Sequence, residues 1–246
     1  MRKSLRIYLL TGFLLASGCA TVDGPTDPGD PWESYNRAMY SFNDSVDTAV
    51  LKPLAEGYVE VVPTIARKGI SNFFSNLDDA LVLLNDLLQL KFVQAASDFT
   101  RLLVNSTVGL YGLIDVASSA GVRKHNEDFG QTLGYWGLPS GPYLVLPLLG
   151  PSSPRDGLGL YTSRRYFDLI DRHTDDNATE NVLVATDIIN TRAQLLGASR
   201  VFDVAALDPY QFMRDAYLQR RQSLVYDGNP PLEDFYDDEL EDLPSE

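Results

Sequence analysis

The chain carries very little with which to do covalent or metal chemistry. Of its 246 residues one is cysteine and two are histidine, His125 and His173. A single cysteine excludes an internal disulfide, so packing alone must stabilise an exported form. His173-Thr174-Asp175-Asp176 offers polar ligands, but in no common zinc spacing and with no second histidine near in sequence. There is no Gly-x-Ser-x-Gly elbow and no P-loop, and Gly157-Leu158-Gly159 lacks both the remaining glycine and the preceding strand of a dinucleotide fingerprint. The residual hydrolase option is a serine, Ser152 or Ser153, assembled with His125 or His173. Asp78-Asp79 and Asp175-Asp176 read as helix starts or solvated turns rather than catalytic pairs. A net charge of −14 with no large basic patch argues against nucleic acid. Beyond the N-terminal segment no apolar run reaches the roughly 18 residues of a conventional transmembrane helix.

What is present starts with that one cysteine. Arg2, Lys3 and Arg6 form a basic region, Ile7 to Leu15 a short apolar one, and Leu15-Ala16-Ser17-Gly18-Cys19 closes it with small residues. The pattern predicts a lipoprotein leader over residues 1–18, cleaved before Cys19, whose thiol then carries the lipid anchor. Ala16 holds a place where leucine is usual. The competing reading is an ordinary secretory leader with a chance cysteine. Residues 19–31, rich in Pro, Gly and Asp, read as a flexible polar tether, with order beginning at Trp32. At the other end, Pro231 to Glu246 carries eight acids and no base. Residues 227–246 therefore read as an acidic tail that stays solvated, because self-repelling acids cannot offset their ordering entropy.

Between these ends the hydrophobic period is helical. Leu81, Leu84, Leu88, Phe92, Ala95, Phe99 and Leu102 recur every three or four residues, and a second pattern runs from Ala178 to about Gly197. Trp32–Val50, Pro154–Ile170 and Pro209–Leu224 also read as helices, the last with Asp208 as N-cap and Pro209 at the first helical position. Tyr143 to Leu146 is the one strand candidate. The expectation is a mainly α fold in a single domain over residues 32–226. Three segments are unusually apolar and broken by glycine and proline: Leu77–Leu90, Val108–Ile114 and Gly141–Pro151. Composition favours burial in a core; the alternative is helices lying in a membrane interface, apolar face down. The Phe73–Phe74 pair, flanked by asparagines in Ser71–Asn76, is open to both readings.

These segments also carry a resemblance. Asp30-Pro31-Trp32-Glu33, Asn36-Arg37, Phe42-Asn43, Lys52-Pro53, Asn72-Phe73-Phe74-Ser75-Asn76, Arg101, Asn105–Gly109, Asp128–Gly134, Gly141–Pro147, Arg155-Asp156, Asp208-Pro209-Tyr210 and Tyr217–Arg221 resemble, in order, the MlaA (VacJ) lipoprotein family. The likeness covers about residues 30–226. It implies a ring-shaped helical lipoprotein in the periplasmic leaflet of the outer membrane, associated with trimeric porins and without enzymatic activity or cofactor. Such a protein removes mislocalised phospholipid from the outer leaflet and passes it to a soluble periplasmic carrier of the MlaC kind. Ala20 after the acylated cysteine fits outer-membrane sorting. Within that frame, Asn72, Phe73, Phe74, Gly109, Gly112, Gly121 and Tyr143 are the candidate residues for lipid passage or its gating. The alternative function is a scaffold lipoprotein that tethers a porin or envelope complex and moves no lipid.

Overall fold

The computed structural model describes residues 30–231 apart from residues 168–169 and 171–175. Cys19, the leader, the tether up to residue 29, His173, Asp175 and the tail from residue 232 lie outside the described residues. Among those described the fold is mainly helical. Helix α1 (Glu33–Val46) passes through a five-residue π segment (Asp47–Leu51) into α2 (Lys52–Val61). There follow α3 (Thr64–Leu88), α4 (Phe92–Thr107), α5 (Val116–Ser119) and α6 (Phe129–Tyr135). The hairpin β1 (Leu144–Leu146) and β2 (Gly150–Ser152) pairs antiparallel, and α7 (Pro154–Tyr166), α8 (Asn177–Ala205) and α9 (Pro209–Val225) complete the order.

The starts of α5 to α9 are capped by side chains. Side-chain oxygens of Asp115, Asp128, Ser153, Asp176 and Asp208 each accept a hydrogen bond from a backbone N–H in the first turn of the helix that follows. Pro154 and Pro209 occupy the opening turn, where their missing N–H costs nothing. Three of the capping aspartates also hold a distant arginine: Asp208 pairs with Arg37, Asp128 with Arg221 and Asp115 with Arg101. The π segment has a cause in Pro53. That residue has no N–H to return to Ala49, and the ladder opens so that the Lys52 N–H reaches the Asp47 carbonyl instead.

Packing contacts run in a closed circuit. α1 lies on β1, β2 on α9, α9 on α6, α6 on α3, α3 on α8, and α8 on α2, which continues α1. α4 folds back on α3 through the turn at Gln89–Lys91, where Leu90 takes a φ of 60°. A small aromatic core of Tyr143, Val145 and Tyr210, backed by Met39, Tyr40, Tyr217 and Leu218, sits where α1, the hairpin and α9 meet. Asn36 and Asn43, seven residues apart on α1, serve the edge of β1 as a partner strand would. Asn36 donates to the Tyr143 carbonyl (3.0 Å) and accepts from the Val145 N–H (2.8 Å). Asn43 does the same with Leu146 and Leu148 (2.9 and 2.7 Å). Asp30, expected in the tether, is fully buried beneath this junction, hydrogen-bonded to Asn36 and Tyr210.

The interior is otherwise polar. On α3 the buried residues are Asn76, Asp79, Val82, Asn85 and Asp86, and on α4 they are Ala95, Asp98, Arg101 and Asn105. The apolar stripe read from the sequence has the right period and the opposite orientation. Ala95 alone is buried, Leu81, Leu84 and Leu102 are half-buried, and Leu88, Phe92 and Phe99 are exposed. The core reading favoured by composition is therefore overturned for Val108–Ile114 and the end of α3. Leu87, Leu90, Val108, Leu110, Tyr111 and Ile114 all stand exposed, Tyr111 at 81%. Gly141–Pro151 divides, with Tyr143 and Val145 inside and Leu148 and Leu149 outside. The reading of Asp78-Asp79 as a helix start or solvated turn fails: both lie in the middle of α3, and Asp79 is fully buried and 2.6 Å from Lys124 Nζ. Among the described residues no helix is long and apolar enough to cross a membrane.

Candidate functional site

The π segment forms one wall of an open cavity of about 390 Å³. Its opposite walls come from the hairpin (Val145, Gly150, Pro151), the second half of α8 (Arg192, Leu195, Ser199, Phe202) and Met213 of α9. The lining is divided. Tyr40, Val145, Pro151, Leu195, Phe202 and Met213 supply apolar surface, whereas Asn43, Asp44, Asp47, Thr48, Lys52 and Arg192 supply polar groups. Arg192 is fixed by a two-point contact with Asp47 (Nε–Oδ1 2.6 Å, Nη2–Oδ2 2.8 Å) and by Ser199 Oγ at 3.0 Å. One face thus suits a charged group and the other an aliphatic chain. A second cavity, about 410 Å³, lies between the end of α6 and α9 beside Arg155 and Arg221. There both guanidiniums are already held by Asp156, and Arg221 by Asp128 as well.

The residues singled out from the sequence fall in three places. Asn72 on α3 donates its amide to the Leu113 carbonyl (3.1 Å), and the Asn76 amide donates to Ser106 Oγ (3.0 Å). Gly112, with φ of 86°, lies so close that an added Cβ would sit 2.6 Å from Asn76 Cβ. At Gly109 an added Cβ would meet the Ile114 carbonyl at 2.2 Å. Asn72, Gly109 and Gly112 therefore belong to one tight junction between α3 and the loop after α4. Phe73 and Phe74, both half-buried, meet edge-on with centroids 5.3 Å apart. Gly121 is exposed in the turn after α5, with φ of 81° and open space around it. Tyr143 is remote from these, buried in the aromatic core with its ring 5.7 Å from that of Tyr217. No sequence motif marks Asp44, Asp47, Lys52 or Arg192 as functional. The one local clue was Pro53 inside an otherwise helical stretch.

Buried charge elsewhere is managed by pairing. Arg101, 1% exposed, is shared between Asp79 and Asp115. Burial alone would raise the Asp115 carboxyl, but hydrogen bonds from Ser118 and Asn105 and the charge of Arg101 outweigh it and hold the group at about 2. Asp86 goes the other way. Burial first, and then the adjoining Asp98 carboxylate, push it up to about 8. His125 Nδ1 lies 2.6 Å from Asp98 Oδ2. Ser153 Oγ is committed to the Asp156 N–H and Ser152 Oγ to the Ser153 carbonyl, so no hydrogen bond joins either serine to His125. Among the described residues no group of histidine and carboxylate side chains is arranged to hold a metal ion.

Two helices that bury polar side chains and expose apolar ones, beside a cavity of mixed lining, fit the class of lipid-associated proteins. Comparison with known proteins then gives the family. The profile of the MlaA lipoprotein matches residues 28–224. The intermembrane phospholipid transport system lipoproteins MlaA of Escherichia coli K12 and Shigella flexneri are each 36% identical over 250 residues, covering 97% of this chain and 97% of theirs. That of Haemophilus influenzae is 32% identical over 92% of both chains. A solved chain from work on the structural basis for maintenance of bacterial outer membrane lipid asymmetry superposes with a TM-score of 0.69 at 34% identity, covering 80% of this chain and 98% of that one. The chain belongs to the MlaA lipoprotein family.

Proposed function

We propose that this protein is an outer-membrane lipoprotein, anchored through Cys19 in the periplasmic leaflet, that removes mislocalised phospholipid from the outer leaflet. It hands the lipid to a soluble carrier of the MlaC kind while held beside a trimeric porin, and it performs no chemical reaction. The observation that carries this reading is the inverted burial of α3 and α4, with carboxylates, amides and an arginine inside and leucine and phenylalanine outside. Such surface suits helices lying in acyl chains. A headgroup crossing hydrocarbon unaided meets a barrier of at least about 2.5–3.5 kcal/mol per charge, and a passage with polar walls lowers it without catalysis. The cavity at the π segment is the passage in this proposal. The tight junction of Asn72 with the Gly109–Leu113 loop is its gate, with Phe73 and Phe74 bedded in the interface and Gly121 the freest hinge.

The test is outer-leaflet phospholipid content in cells lacking the gene, with rescue by wild type and by Cys19→Ala. Accumulation that only the anchored protein corrects supports the proposal; normal surface lipid without the gene favours a scaffold that moves no lipid. Deleting Asn72-Phe73 should disturb lipid asymmetry at unchanged protein level, and unaltered detergent sensitivity would count against the gate.

A further inference from the structure

We infer that the cavity at the π segment selects zwitterionic phospholipids, with Lys52 meeting the phosphate and Asp44 the ammonium of the headgroup. This rests on the reading of that cavity as the lipid passage. Four of its lining side chains carry full charge: Asp44, Asp47, Lys52 and Arg192. Arg192 and Asp47 neutralise each other through their two-point contact. Asp44 and Lys52 make no salt bridge among the described residues, so the cavity offers one uncommitted anion and one uncommitted cation. Both stand on the continuous helix of α1, the π segment and α2.

Eight residues of regular α-helix would set Lys52 about 80° round the axis from Asp44, at roughly 100° per residue. The wider, slower turn of the π segment reduces that offset and brings both into the same cavity. A headgroup carrying a phosphate diester and a primary ammonium satisfies both groups at once. An anionic headgroup whose alcohol is uncharged brings the same phosphate to Lys52 but no cation to Asp44, whose carboxylate stays unpaired near the phosphate, and that disfavours it. The apolar wall of Tyr40, Leu195, Phe202 and Met213 accepts the first part of the acyl chains.

The experiment uses the full-length lipidated protein, expressed in cells lacking the gene and extracted in mild detergent. Phosphatidylethanolamine and phosphatidylglycerol that copurify are quantified by mass spectrometry against the membrane they came from. Wild type should be enriched in phosphatidylethanolamine by about two- to fivefold, the size expected of one partly hydrated charge pair. Asp44→Lys, at an exposed position, should erase or reverse that ratio; Lys52→Gln should lose lipid of both classes, and Lys52→Arg should retain it. Lipid-loaded wild type in membrane proportions, or an Asp44→Lys ratio equal to that of wild type, overturns the selection while leaving transport standing. Absence of copurifying phospholipid together with normal surface lipid in the deletion strain removes both.

Discussion

Gly157 and Gly159 stand two residues apart in α7, and replacing each by alanine should have opposite effects. At Gly157 an added Cβ would find Ser152 Oγ at 3.7 Å and Leu146 Cδ1 at 3.9 Å, ordinary contact distances. Only the helix preference of alanine then acts, and the change stabilises by about 0.5–1 kcal/mol. At Gly159 the same atom would lie 2.4 Å from the Gly130 nitrogen and 2.9 Å from both Gly130 Cα and the Phe129 carbonyl carbon. All three are main-chain atoms of α6 and cannot rotate away. The two helices must part by roughly 1 Å, an overpacking cost of about 1–3 kcal/mol. The separation also strains Arg221, which bridges the α6 cap Asp128 (2.6 Å) to Asp156 of α7 (2.8 Å). Losing one such charged hydrogen bond adds about 1.5–3 kcal/mol. Set against the same alanine gain, the net for Gly159→Ala is a loss of about 1.5–5.5 kcal/mol. Thermal unfolding of the detergent-solubilised protein reads this directly: at about 2–4 °C per kcal/mol for a domain of this size, Gly157→Ala should melt about 1–4 °C higher and Gly159→Ala roughly 3–22 °C lower. Equal melting temperatures for the two variants would refute the claim that α6 and α7 meet backbone to backbone at Gly159.

Asp86→Asn should change the pH dependence of stability. With its folded pKa pushed up to about 8 from 3.8, Asp86 keeps a proton that the unfolded chain releases between those values. Stability therefore falls as pH rises through that window, by up to about 1.4 kcal/mol per unit. An acyl surround would push the pKa in the same direction. The asparagine variant should lose this slope in unfolding measured from pH 5 to 8, and an unchanged slope would contradict the assignment. Asn36→Ala should cost about 3 kcal/mol or more, because it strands the Tyr143 carbonyl and the Val145 N–H in a buried place; a loss below 1 kcal/mol would mean that β1 finds other partners. A double-mutant cycle of Asp47→Asn with Arg192→Met should give a coupling of about 1–3 kcal/mol, and additivity of the two changes would show that the pair does not brace the cavity wall.

How much of this was legible depends on which property the sequence encodes locally. Helix existence is local, and the spacing of leucines in 81–102, the Asp208-Pro209 start and the Tyr143–Leu146 strand all correspond to observed elements. The identity of the buried face is not local. α3 carries two stripes at helical spacing, the apolar one and a polar one through Asn76, Asp79 and Asp86. Period alone does not say which of them faces in. The site was less legible still, since its walls come from residues 40–52, 145–151, 192–202 and 213, joined only by the folded circuit.

Which stripe wins is decided by the surroundings. In water, turning the polar stripe inward would sacrifice the hydration of Asp79, Asp86, Asp98 and Arg101 while leaving a broad apolar face exposed, an arrangement that ordinarily marks a binding surface or an aggregation hazard. Against acyl chains the balance reverses. Apolar side chains lose nothing by facing outward, and every polar group must find its partner inside. That requirement accounts for the otherwise odd density of side-chain networks here: Arg101 between Asp79 and Asp115, Lys91 between Glu127 and Asp227, Gln89 on Glu127 and Thr132. Under the proposed function, the asparagines and aspartates of α3 and α4 are the core of a protein built for an apolar solvent.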